Sequence, residues 1–241
     1  MARLSARARA EPLLGVYEKL HAVHGSEHWH WYPEHIQSPL DVIAGAVLVQ
    51  HTTWQNAERA LEALRAAGAL DERALLAIEE SRLQALIRVS GTPAVKAKRL
   101  RAVASMLVDG GGLAKFLELS AAEMRARLLA THGIGEESAD AILLYAAGHR
   151  AFVIDAYTRR LFGRLGLGPA VNAPYVAWQR YFDDAVSALD VDGYRRYHAY
   201  IVLHGKQICR PQPRCDACPL LAMCPSGAGF AKNGAAKYQR R

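Results

Sequence analysis

Apolar positions recur at helical spacing along most of the chain, and no stretch alternates convincingly with the period of two that marks a half-buried strand. Residues 6–24 carry one stripe, Leu13, Leu14, Tyr17, Leu20 and Val23. Ser38-Pro39 reads as an N-cap and first helical residue, opening a largely apolar helix through Leu40, Val42, Ile43, Val47 and Leu48. Short helices are expected over 57–67, 71–80 and 81–89, separated by Gly68 and by charged starts. Thr92-Pro93 caps the next, and Gly110-Gly111-Gly112 ends it. Ser120-Ala-Ala-Glu123 fits a capping box ahead of Met124, Leu128 and Leu129. Further helices are expected near 155–165, 174–189 and 193–205. The pattern is all-α, with helices too short for a coiled coil.

Composition narrows the partner. The 241 residues can bury a proper core and suit two lobes, while 30 Lys+Arg against 23 Asp+Glu give a net charge of +7, as a polyanion-binding protein would have. The basic amino-terminal stretch has no uninterrupted apolar core, and no apolar run is long enough to span a bilayer. A soluble, intracellular protein is expected, cytoplasmic or associated with the nucleoid, with no membrane partner.

The chemistry gathers in residues 131–155, THGIGEESADAILLYAAGHRAFVID. In Gly133-Ile134-Gly135 two glycines flank one apolar residue, so the backbone can turn tightly while Ile134 anchors the turn. The glycines leave main-chain N–H groups accessible at the start of the following helix, a site suited to a backbone phosphate. A plain helix–helix turn is the simpler reading of such a motif. Asp155 follows 18 residues after Glu137, behind the apolar segment Ala151-Phe152-Val153-Ile154. As a lone carboxylate at the edge of a buried segment it can cap a helix and serve catalysis at once.

Four cysteines, Cys209, Cys215, Cys218 and Cys224, are spaced C-x5-C-x2-C-x5-C among Pro211, Pro213, Pro219 and Pro225. Clustering within one segment points to a metal site rather than to dispersed disulfides, and four thiolates suit zinc or an iron–sulfur cluster. Lys206, Arg210 and Arg214 lie beside them and can meet phosphates. Lys96, Lys98, Arg99 and Arg101 form a second basic run, read first as a solvated helix face. The aromatic segment His28-Trp29-His30-Trp31-Tyr32-Pro33 reads as packing between lobes.

These motifs resemble the endonuclease III superfamily of helix-hairpin-helix DNA glycosylases over most of the chain, and GIGEESADAILLYA followed by FVIDAYTRR is most similar to the endonuclease III-related branch that includes 3-methyladenine glycosylases. The resemblance implies a two-lobed fold, with a six-helix lobe over 36–149 and a second lobe joining 1–35 to 150–241. It makes Asp155 the catalytic carboxylate and gives Gln50, within VLVQHTTWQNAERAL, the job of filling the gap left by an extruded nucleotide. It implies phosphate contacts from Gly133, Ile134 and Gly135. LHGKQIC and RCDACPL resemble the family's [4Fe–4S] loop, with the first spacer one residue shorter, so an iron–sulfur cluster is expected in preference to zinc. Two positions depart from the family. Glu137 stands where bifunctional members carry a Schiff-base lysine, and Thr92-Pro93 stands where a bulky wedge is common. The expectation is a monomeric, monofunctional glycosylase acting on duplex DNA with a damaged base, alkylated purines before oxidised pyrimidines. The alternatives are a catalytically weak damage-sensing homologue, a zinc-bearing DNA-binding regulator, and a bifunctional enzyme using another amine.

Overall fold

The computed structural model describes residues 6–29, 37–227 and 229. In chain order its helices are α1 (Ala6–His24), α2 (Pro39–Leu48), α3 (Trp54–Ala66), α4 (Glu72–Ala77), α5 (Glu80–Leu86), α6 (Pro93–Asp109), α7 (Leu113–Leu117), α8 (Ala121–Ala130), α9 (Glu136–Ala141), α10 (Ala156–Leu165), α11 (Tyr175–Ala185) and α12 (Val191–Gln207). Among the described residues there is no strand. The chain divides into two compact units, residues 1–29 with 150–241, and residues 30–149.

The 30–149 unit is built on α2. Ser38 Oγ accepts from the Asp41 N–H at 3.3 Å while Asp41 Oδ2 accepts from the Ser38 N–H at 2.6 Å, closing a capping box. Every residue of α2 from Val42 to Leu48 is buried, so this helix is hydrophobic all round and central. Helices α3, α6 and the residues after α9 pack on it. The two helices expected over 71–80 and 81–89 are α4 and α5, parted at Ile78 and Glu79, which are extended, with the Glu79 carboxylate capping α5. Thr92 precedes α6 without capping it through its side chain. Its backbone is left-handed (φ 43°, ψ 54°), whereas side-chain capping calls for an extended one. Helix α7 has five residues, too few to show a period, and is held by buried Phe116. After α9 the chain continues as a π-turn over Ile142–Ala146.

The other unit is an aromatic core wrapped by four helices. The Phe152 and Phe182 rings stack at 4.2 Å and 13°, with Phe162 and Tyr197 edge-on to them. Burying each such ring contributes about 1.5–3 kcal/mol. The Tyr197 hydroxyl donates to the Leu13 carbonyl at 2.6 Å, tying α1 to α12. Residues 151–154 are buried but unpaired as a strand. Side chains satisfy two of their amides instead. The Phe152 N–H donates to Asp183 Oδ1 at 3.3 Å and the Ile154 N–H to the Tyr175 hydroxyl at 3.1 Å. This fixed segment delivers Asp155 to the start of α10.

Candidate functional site

The hairpin between α8 and α9 has the expected form with one change. Ile134 is buried and Gly133 has φ +84°, but Gly135 is extended (φ −94°, ψ 179°) and serves as the N-cap of α9. A side chain at Gly133 would meet both left-handed strain and the Arg99 side chain. At Gly135 a Cβ meets nothing within 4 Å, so open space stands over the first turn of α9. Behind it, buried Asp140 is gripped by Arg125, Nε to Oδ1 at 2.8 Å and Nη2 to Oδ2 at 3.3 Å, which fixes the helix.

Gln50 lies two residues beyond α2, in a turn where His51 takes a left-handed backbone (φ 56°). Its amide donates to the Gly133 carbonyl and to Ser138 Oγ, each at 3.1 Å, and its Oε1 accepts from Arg99. The structure therefore joins three sequence-predicted residues, Gln50, Gly133 and Arg99, in one network. Lys96 is a correction. It is 1% exposed, not part of a solvated face, and its Nζ donates to the Leu48 carbonyl at 2.7 Å and the Ser90 carbonyl at 2.5 Å. Burial, with Arg99 adding repulsion, pulls its pKa down to about 8. Arg101 donates to the Ile78 carbonyl, so within this run only Lys98 keeps the expected exposed position without a described internal bond.

Asp155 is 8% exposed and caps α10. Oδ1 accepts from the Thr158 N–H at 2.7 Å and from the Thr158 hydroxyl at 2.9 Å, while Oδ2 faces His198 Nε2 at 3.7 Å. Burial raises the carboxyl pKa, but His198 and the two Thr158 donors outweigh it and leave it below the ordinary carboxylate value. A buried carboxylate held ionised is the result. Trp29 stands edge-on to His198, ring centroids 6.1 Å apart, and the Lys206 ammonium lies 5.9 Å from the Trp29 ring. Burial lowers the Lys206 pKa, and the Asp155 charge works the other way. Of the aromatic segment His28–Pro33, residues from His30 onward lie outside those described, as do Lys232, Lys237, Arg240 and Arg241.

The four cysteines line one pocket at the end of α12, together with Leu161, Arg164 and Leu220. Two arginines of α10 hold the loop. Arg160 donates to the carbonyls of Cys209 and Gly205 at 2.9 and 3.0 Å, and Arg164 donates to Cys209 Sγ at 3.3 Å and to the carbonyls of Arg210 and Pro211 at 2.7 and 2.9 Å. Burial and the neighbouring thiols push Cys215 upward, and burial first pushes Cys218 upward too. Among the described residues no three His, Cys, Asp or Glu side chains converge closely enough for a single ion. Zinc in a four-thiolate site would need sulfurs about 3.8 Å apart, from Zn–S bonds of about 2.3 Å. Arg210 and Arg214 are exposed on the loop, and Glu137 is exposed in the first turn of α9.

Sequence reasoning missed Thr158, His198, Arg160, Arg164 and the pair His24–His204. The i, i+4 spacing of Arg160 and Arg164 after Asp155 was the one signal available.

A hairpin of this kind and a buried carboxylate capping the next long helix define a helix-hairpin-helix protein of DNA base repair. The chain belongs to the HhH-GPD superfamily of base excision DNA repair proteins, whose match spans residues 44–177, and it is a DNA glycosylase of that superfamily. It is 37% identical over 221 residues to MJ1434, the provisionally assigned DNA repair glycosylase of Methanocaldococcus jannaschii, covering 90% of this chain and 97% of that one. It is 33% identical over 140 residues to endonuclease III of Sulfolobus acidocaldarius, 57% of this chain and 59% of that one. In fold it is similar to an endonuclease III solved as a non-covalent DNA complex (TM-score 0.77, 19% identity, 95% and 100% of the two chains). It is also similar to the H. pylori 3-methyladenine DNA glycosylase MagIII bound to 1,N6-ethenoadenine (TM-score 0.67, 28% identity, 85% and 98%). Among the described residues no helix is long and apolar enough to cross a membrane.

Proposed function

We propose that this chain is a monofunctional glycosylase that hydrolyses the N-glycosidic bond of a damaged base extruded from duplex DNA, alkylated purines first and oxidised pyrimidines second. The observation that carries it is the buried carboxylate of Asp155, kept ionised by Thr158 and His198. Extrusion is required because a base within the stack is out of reach, and it costs about a few kcal/mol. The amides of Gly133 and Gly135 hold a phosphate, whereas the Ile134 N–H, expected to join them, donates to the Thr131 carbonyl at 3.1 Å. Gln50 fills the vacated stack. Lys206, Arg210 and Arg214 add phosphate contacts without sequence choice.

As the C1′–N bond breaks, positive charge develops on the sugar and Asp155 stabilises it. Water then forms the new C1′–O bond, its proton passing to Asp155 or to solvent, and the base leaves with the bonding pair. Glu137 supports hydrolysis over imine formation, since the amine that would attack the sugar at that position is a carboxylate. The preference for alkylated purines is supported by the 28% identity to MagIII.

Cys209, Cys215, Cys218 and Cys224 would hold a [4Fe–4S] cluster. Thiols that share a pocket without converging on one ion fit a multi-iron core better than zinc. That group supplies a structural tie and, at most, electron exchange. What the chain's own residues do is hold a basic loop against α10 through Arg160 and Arg164. The protein works as a monomer in the cytoplasm or nucleoid.

A panel of single-lesion duplexes tests the reading, with base release scored after alkali and strand cleavage scored without it. The expected result is release from at least one alkylated purine and breaks only after alkali. Tight binding of damaged duplex with no release from any lesion would favour a damage-sensing role instead.

A further inference from the structure

A hydrogen-bonded chain runs from an N-terminal carboxylate to one cysteine of the pocket, and base removal makes no use of it. Glu27 Oε1 lies 2.5 Å from His24 Nδ1, His24 Nε2 lies 3.2 Å from His204 Nδ1, and His204 Nε2 lies 3.5 Å from Cys218 Sγ. Both imidazoles are completely buried. They meet edge-on, centroids 5.5 Å apart at 77°, where α1 ends beside α12. Gln207 donates to the second oxygen of Glu27, so the carboxylate is itself held. Two buried histidines in series are costly to keep unless each nitrogen has a partner, and here all four do.

We propose that His204, oriented by His24 and Glu27, is the hydrogen-bond partner that tunes Cys218 as a cluster ligand. The inference rests on the iron–sulfur reading of the four cysteines. Hydrogen positions follow from the network. Starting at the Glu27 carboxylate, which accepts from His24 Nδ1–H, His24 Nε2 accepts from His204 Nδ1–H and His204 Nε2 accepts from the Cys218 S–H. Ligation requires the thiolate. Moving the Cys218 hydrogen to His204 Nε2 and the His204 Nδ1 hydrogen to His24 Nε2 then leaves His204 Nε2–H donating to sulfur, with the transferred proton shared by the His24–Glu27 pair. No proton is lost in the shift and His204 stays neutral on both sides of it. Partners of this kind orient a ligand, and donors to the sulfurs favour the more electron-rich state of the cluster.

The test is voltammetry of the purified holoprotein, with iron, sulfide and zinc content measured alongside. His204→Leu should shift the cluster potential negative, and His204→Gln, whose amide can place a donor near the original Nε2, should hold it close to wild type. His24→Leu leaves His204 in place but unoriented and should also shift it negative, which keeps the test open if His204→Leu does not fold. Unchanged potential in the leucine variants, or an equal shift in His204→Gln, would overturn the tuning role while the cluster stands. Zinc without iron in the wild type would overturn the cofactor reading and this inference with it.

Discussion

Gln50 donates its side-chain amide to the Gly133 carbonyl at 3.1 Å, so the residue given to the duplex gap rests against the hairpin given to the phosphate. On the proposed reading, entry into DNA breaks that bond, the one to Ser138 and the one from Arg99. Each broken bond costs about 0.5–1.5 kcal/mol, more where a charge is involved, and contacts in the gap must offset it. Gln50→Ala should therefore weaken extrusion of a fluorescent base analogue by about ten-fold or more while leaving binding to undamaged duplex near wild type. Equal loss of both would show that Gln50 serves only to brace the hairpin.

Thr158 supplies two of the groups that keep Asp155 ionised. Because the folded carboxyl pKa is lowered, Asp155 contributes stability above the ordinary carboxylate pKa, and loses it as pH falls through the lowered folded value. Thr158→Val removes the hydroxyl donor and keeps the backbone one. The acid limb of base release should move to higher pH in this variant, with activity at neutral pH reduced modestly. An unmoved acid limb would mean that His198 and the backbone suffice.

Lys96 gives a second pH signature of opposite origin. With a folded pKa of about 8 against an unfolded value of about 10.4, the unfolded chain binds more protons between these limits, so this group makes stability rise with pH across that window. Denaturant titrations at pH 7.5, 9 and 10 should show wild type gaining on Lys96→Met by up to about 3 kcal/mol. A constant difference would show that the two carbonyl bonds restore the ordinary pKa.

Arg164 joins the helix begun by Asp155 to the cysteine loop. Arg164→Ala leaves Cys209 Sγ and two loop carbonyls without this donor. On the iron–sulfur reading its iron should be lost several-fold faster to a chelator, and if loop arginines meet phosphates its weakened DNA binding should depend less steeply on salt than the wild type's. Wild-type rates of iron loss would remove Arg164 from the holding of the loop.

How much of this was legible in the chain differs by residue. Ser38, Ser120 and the apolar stripes announced their helices because capping and periodicity are local. Asp155 as a cap was equally local. Lys96 was misread as solvated because a buried lysine looks in sequence like any other on a basic helix, and only the carbonyls of Leu48 and Ser90, distant along the chain, reveal it. His198 and His204 were silent for the same reason, since their partners Asp155, His24 and Cys218 come from other segments. The two glycines let the backbone turn tightly, and of the two only Gly133 takes the left-handed backbone, a division the motif alone does not show.

On the proposed reading, Glu137 decides the reaction type. With a carboxylate there, borohydride should trap no protein–DNA adduct during turnover. Efficient trapping would reveal another amine at the sugar and end the monofunctional assignment.

The most direct measurement is single-turnover base release by Asp155→Asn on the best lesion duplex, beside its binding to the same duplex. Asparagine keeps the cap acceptor and the shape but removes the charge. Release should fall by about 10²–10³-fold or more, the scale of losing a dominant electrostatic stabiliser, while binding changes little. Wild-type release by Asp155→Asn would contradict the account and leave Asp155 a helix cap.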